Sequence, residues 1–150
     1  MTRDYHFVNT NERHLPDDAT GTEIYAHNVV ATFGDYEEFG SHLENLSPDD
    51  LVFSYQNGVG VRAIGLVVGA FDETAVEPSN MIFHDADSPE SEYHVPVRWQ
   101  TVLSESEAIS AQEVEQICGR PVFGSGAYTP LDEGDNPGQL ADEVYARARN

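Results

Sequence analysis

"LVFSYQNGVGVRAIGLVVGAF", residues Leu51 to Phe71, decides the fold. Leu51, Phe53 and Tyr55 alternate with Val52 and Ser54, the two-residue period of a strand. Asn57-Gly58 follows, the favoured pair for a type I′ turn, and Val59 to Phe71 reads as a long return strand. Gly60, Gly65 and Gly69 interrupt that strand. Glycine weakens a strand, so here it marks a bulge, a tight bend, or the close approach of another backbone or a ligand. A strongly curved sheet is the economical reading.

Upstream, Tyr5 to Thr10 has the aromatic and β-branched character of a first strand. A polar turn, NERHLPDDATG, leads to TEIYAHNVVATF, which fits either a strand or an irregular loop. From Asp35 to Leu46, the steps between Tyr36, Phe39, Leu43 and Leu46 and the Asp35/Glu38 capping box predict an amphipathic helix. SPDD, residues 47–50, predicts a type I turn with Pro48 presetting φ. Downstream, Asp72 to Glu92 is acidic, contains Pro78 and Pro89, and reads as an exposed loop. Tyr93 to Leu103 alternates as a strand whose Pro96 prefers an edge or a bulge. Ser110 with Glu113 opens a second helix that ends at Gly119, and Pro121 to Tyr128 contains a last short strand. Asn136 and Pro137 cap and begin a final helix, residues 137–149, with Leu140, Val144 and Ala148 inward.

The 150 residues, 39% of them hydrophobic, suffice for one domain with one sizeable core. No run approaches the roughly 18 apolar residues of a membrane span, and MTRDYHF lacks the apolar stretch of a signal peptide, so a cytoplasmic location is expected. Cys118, the single cysteine, has no disulfide or CxxC partner and reads as a small apolar side chain near a helix end. Twenty-seven acidic residues against seven arginines and no lysine give a net charge of −20. Such self-repulsion is relieved by salt, which points to a salt-adapted cytoplasm. A disordered acidic chain is disfavoured by the aromatics and the clear periodicity, whereas a nucleic-acid mimic stays open.

No cofactor motif is present. The glycines of the hairpin lead into a strand, not into the helix that a Rossmann or P-loop site needs, and no GKS or GKT exists. None of the six histidines falls in a metal-ligand spacing, and HDAD, residues 84–87, sits in the acidic loop. Asp132 to Asn136 resembles part of a calcium loop but lacks its glycine and its closing glutamate. What remains is a set of aromatics and amides near strand ends: Phe7 with Asn9 and Asn11, Tyr25 with Asn28, Phe53 with Tyr55, and Trp99 with Gln100. Flat rings beside amide groups suit stacking a nucleobase and reading its edge. Phe53 and Val97 are expected in the core, and for Trp99 core and site are equally good readings.

The ordered set FVN (residues 7–9), LVFSY (51–55), GVGVRAIGLVV (58–68) and VRW (97–99) resembles the EVE and YTH-related branch of the PUA-like superfamily. Asp49-Asp50 stands where those domains carry Gly-Asp, keeping the turn with a different backbone tolerance. The resemblance implies an α+β fold, a small, strongly bent and mostly antiparallel β-barrel flanked by helices. It also implies a non-catalytic module that accommodates a modified base of DNA or RNA, with some relatives fused to nucleases of modification systems. By position, Asn9, Tyr55 and Trp99 lead the ligand-binding candidates, followed by Tyr25 and Asn28. Arg13, Arg62 and Arg98 are candidates for the nucleic-acid backbone. Two other readings are a regulatory subunit that needs a nuclease or modification-enzyme partner, and a hydrolase using His84, Asp85 and Asp87 with a metal.

Overall fold

A computed structural model describes residues 4–10, 25, 28–33, 40–56, 59–71, 92–121 and 128–149. The strands are β1 (Tyr5–Thr10), β2 (Val29–Phe33), β3 (Leu51–Gln56), β4 (Gly60–Val67), β5 (Glu92–Val102) and β6 (Tyr128–Leu131). Two α-helices stand among the described residues, α1 (Ala111–Cys118) and α2 (Pro137–Ala148). The strands form one sheet in the order β2-β5-β4-β3-β1-β6. β1 runs parallel to β3, and the other four pairings are antiparallel. The fold is therefore α+β and mostly antiparallel, as expected. The barrel is not closed: β2 and β6 are the two edges, and they do not pair among the described residues. β6 is only four residues long and contains Pro130, whose missing N–H suits an edge.

One strand changes partner along its length. The first half of β5, through Pro96, pairs with β2, and the half from Val97 onward pairs with β4. At this crossing the Val97 amide donates to the Asn28 carbonyl (2.9 Å) and the Val68 amide to the Pro96 carbonyl (3.0 Å). Register shifts at Ser54/Tyr55 and Ile64/Gly65 add bulges, which increase local twist. The Val59 amide closes the hairpin onto the Gln56 carbonyl (3.0 Å), while Asn57 and Gly58 lie outside the described residues.

Two of the three hairpin glycines are there for close approach. A Cβ on Gly60, at φ +130°, would stand 2.2 Å from the carbonyl oxygen of Ile109, whose backbone bridges to Val61. A Cβ on Gly65 would stand 2.5 Å from Val97 Cγ1 and 2.8 Å from Trp99 Cε3. Of the reasons for glycine in a strand, the close approach of neighbours is the one seen at these two positions.

Alternation sends each strand's side chains to two cores. Phe7, Phe53 and Ile64 lie on the side covered by α1 and α2, where Ile109, Val114 and Leu140 join them. Val8, Val52, Val67 and Val97 lie on the other side, against Leu43 and Leu46. Leu43 belongs to a 3-10 turn, Gly40–Asn45, so the described part of the predicted helix over residues 35–46 is not α-helical, and its capping box lies outside the described residues. Gly40 and Ser41 are weak helix formers, which suits a short 3-10 turn. The SPDD turn also differs from expectation. The Asp50 amide donates to the Ser47 carbonyl (3.0 Å), and Asp49 adopts φ +79°, the sign that a type II turn needs at its third residue. Asp50 is buried and joins His6 Nε2 at 2.8 Å, tying the start of β1 to the start of β3.

The α1 prediction is met in detail: the Ser110 side chain accepts from the Glu113 amide, and Gly119 ends the helix in the left-handed conformation. Cys118 is buried at its last turn, and burial, then the Asp135 charge, pushes its thiol up to about 11. In α2 the inward residues include Leu140, Ala141 and Val144, while Ala148, expected inward, is exposed. Asn136 does not cap with its side chain, which instead donates to the Ile117 carbonyl (2.9 Å). The calcium-like segment has another use. Asp135 is 2% exposed and holds Arg120 through two hydrogen bonds, 2.5 and 2.8 Å, which draw its carboxyl below the usual carboxylate range. Arg147 of α2 similarly engages Glu113 of α1 and the carbonyls of Glu107 and Ala108.

Candidate functional site

The sequence-derived candidates divide between the two faces of the sheet. Tyr55, 8% exposed, packs its ring 5.5 Å from Phe7 in the core beneath the helices. Burial raises its phenol pKa. Trp99 is partly buried against the opposite core, over Gly65. Tyr55 and Trp99 therefore do not line one pocket, because Tyr55 shares its face with Phe53 and Phe7. Asn9 pairs in register with Tyr55, at the end of β1. Arg98 is exposed on β5 opposite Leu66, and Arg13 lies outside the described residues, as do His84, Asp85 and Asp87.

Four other groups do converge on the Trp99 side. The Tyr25 ring meets Trp99 edge-on, with centroids 5.0 Å apart and planes at 86°. Its hydroxyl shares a 2.5 Å hydrogen bond with the hydroxyl of Ser54, which is fully buried. The Arg62 guanidinium lies over the Tyr25 ring, 5.8 Å from Cζ to the centroid. Arg62 Nη1 donates to Gln56 Oε1 (3.0 Å) and Nε to the Leu103 carbonyl (3.0 Å). Burial raises the Tyr25 pKa, and the Ser54 hydrogen bond and the Arg62 charge pull it partly back. The phenol is neutral at ordinary pH and serves as a polar contact. Asn28 stands exposed at φ +55° before β2, its carbonyl holding the Val97 amide two residues from Trp99.

Ser54 and Gln56 were not singled out by sequence reasoning. A signal existed: both alternate with Phe53 and Tyr55 on β3, so one face of a wholly buried strand carries polar groups. Buried polar groups need partners, and here the partners are Tyr25 and Arg62. Such a cluster offers a flat ring, a hydroxyl, an amide and a cation at one place. Those groups can stack a planar ligand and hydrogen-bond its edge. Among the described residues no group of three metal-ligating side chains occurs.

No protein-family model and no curated protein matches the chain. Solved structures do. The Pho92 YTH domain in complex with m6A superposes with a TM-score of 0.62 at 10% identity, covering 95% of this chain and 86% of that one. The YTH domain-containing protein mmi1, solved with RNA, gives 0.56 at 14% identity over 96% and 83% of the two chains. A Pseudomonas syringae protein gives 0.54 at 16% identity over 93% and 99%. The chain has the fold of the YTH domains, in agreement with the resemblance of its motifs to the EVE and YTH-related branch.

Proposed function

We propose that this chain is a non-catalytic reader that holds one modified nucleobase of RNA or DNA against Trp99. The observation that carries the proposal is the partly buried Trp99 ring, seated over Gly65 and met edge-on by Tyr25, in a fold shared with a domain solved in complex with m6A. Trp99 supplies the stacking surface, and Tyr25 and Asn28 flank it. Stacking contributes about 1–3 kcal/mol per base and, unlike phosphate pairing, survives high salt. Arg98, exposed on β5, suits a phosphate contact. A partner nuclease or modifying enzyme would act on what the reader marks.

Trp99 is the chain's only tryptophan and reports directly on its own surroundings. Its fluorescence, followed in multimolar KCl while short oligonucleotides with and without methylated cytosine or adenine are added, should quench preferentially with a modified strand. Trp99→Ala should weaken that binding by about 1–3 kcal/mol, measured by a labelled oligonucleotide, with a smaller loss of folding stability. Equal losses in binding and folding would return Trp99 to a core role, and no response to any oligonucleotide by the folded protein would remove the reading.

A further inference from the structure

Arg62 is 6% exposed, and among the described residues no carboxylate pairs with it. Its contacts are a carbonyl, an amide oxygen and the Tyr25 ring. Two arginines that are more accessible behave differently: Arg120 holds Asp135, and Arg147 holds Glu113 and Glu143. Among the described residues Arg62 is thus an interior cation with no acid in direct contact; the carboxylate of Glu105 is reached only through Gln56, whose Nε2 donates to it at 3.5 Å. A buried charge is costly to leave uncompensated, and its field is screened by salt far less than that of a surface charge.

The Tyr25 ring links Trp99 to that charge. It lies 5.0 Å from the Trp99 ring and 5.8 Å from the guanidinium at the same time. Aromatic sites ordinarily favour cationic ligands through the ring quadrupole. Here a cationic base beside Tyr25 would bring a second positive charge toward the guanidinium, and like charges in a poorly screened interior repel.

We propose that Arg62 restricts the site to electrically neutral bases and rejects ring-alkylated bases that carry a positive charge. The proposal rests on the base-holding reading above. It gives Arg62 a place beside the base, in keeping with its burial, where position in the sequence had grouped it with Arg13 and Arg98 on the phosphate backbone. The ligand class that follows is any base whose modification leaves its ring uncharged.

Two pairs of isomeric nucleosides test this without any phosphate. N6-Methyladenosine is neutral and 1-methyladenosine is cationic at neutral pH, and 5-methylcytidine and 3-methylcytidine differ in the same way. Titrated against Trp99 fluorescence, at least one neutral isomer should bind roughly tenfold more tightly than its charged partner. Arg62→Met should bring that ratio near one, and Arg62→Lys, which keeps the charge, should preserve it. Equal or tighter binding of the charged isomers by the native protein overturns the proposal while the base-holding reading stands. The same holds if the ratio survives in a folded Arg62→Met variant. Failure of every nucleoside and oligonucleotide to bind the folded native protein would overturn the base-holding reading and this proposal with it. Should Arg62→Met not fold, the native ratio and its retention in Arg62→Lys decide.

Discussion

A methyl group added at residue 65 would meet Val97 Cγ1 at 2.5 Å and the Trp99 ring at 2.8 Å. Both contacts are shorter than real Cβ atoms tolerate, and the neighbours are packed side chains. Gly65→Ala should therefore destabilise by about 1–3 kcal/mol and shift the Trp99 emission maximum as the ring is lifted. Unchanged emission and stability would show that the ring is not seated as described. Asp49 makes the opposite case. Its φ of +79° lies in the left-handed region, where a side chain costs about 1–2 kcal/mol. Glycine relieves this but adds freedom to the unfolded chain, so Asp49→Gly should stabilise by about 1 kcal/mol. A higher urea midpoint at constant slope is the expected result, and a lower one would mean that the aspartate side chain supports the turn. The Asp49-Asp50 departure was legible in the sequence as a changed backbone tolerance, and the structure gives it a sign and a turn type.

At the scale of elements, the parts legible in the sequence were those whose signals are local. β1, the hairpin strands, β5 and both helices follow from period, glycine and capping boxes, and their bounds fall within a few residues of expectation. Pairings between distant strands carry no local signal. Nothing in FVN or LVFSY says that β1 and β3 run parallel, or that the sheet stays open. The bulge between β3 and β4 had the same effect on the site. Tyr55 pairs with Val61 and Ser54 with Ala63, leaving Arg62 as the extra residue. Strict alternation would group Arg62 with Ile64, yet it reaches Tyr25 on the Trp99 side. The α1–α2 junction yields a pH prediction. Asp135 is held below the usual carboxylate range by Arg120, so its contribution is complete above the unfolded value of about 4 and is lost as pH falls through the lower folded value. Arg120 is 47% exposed, which reduces the pair's contribution through solvent screening. Arg120→Ala should cost about 2 kcal/mol at neutral pH by stranding a buried carboxylate, and the two proteins should converge in acid. Urea unfolding at neutral and acidic pH checks this, and a difference independent of pH would assign the loss to packing.

For the whole molecule the dominant quantity is its charge of −20. Raising KCl from about 0.1 M to about 1 M shortens the screening length from about 10 Å to about 3 Å. The melting temperature should rise steadily over that range, and an unchanged or falling value would count against self-repulsion as the main consequence of the acidity. The sheet order imposes a further condition, on assembly. β1 lies between β3 and β6, so it gains its second neighbour only when residues 128–131 have been made. Until then its outer edge is a row of unpaired amides and carbonyls, open to the wrong strand or to another chain. Parallel and long-range pairings close slowly, so the sheet stays unfinished at least until β6 has been made. Ribosome-bound chains halted before residue 128 should be the species that chaperones hold and that proteases cut.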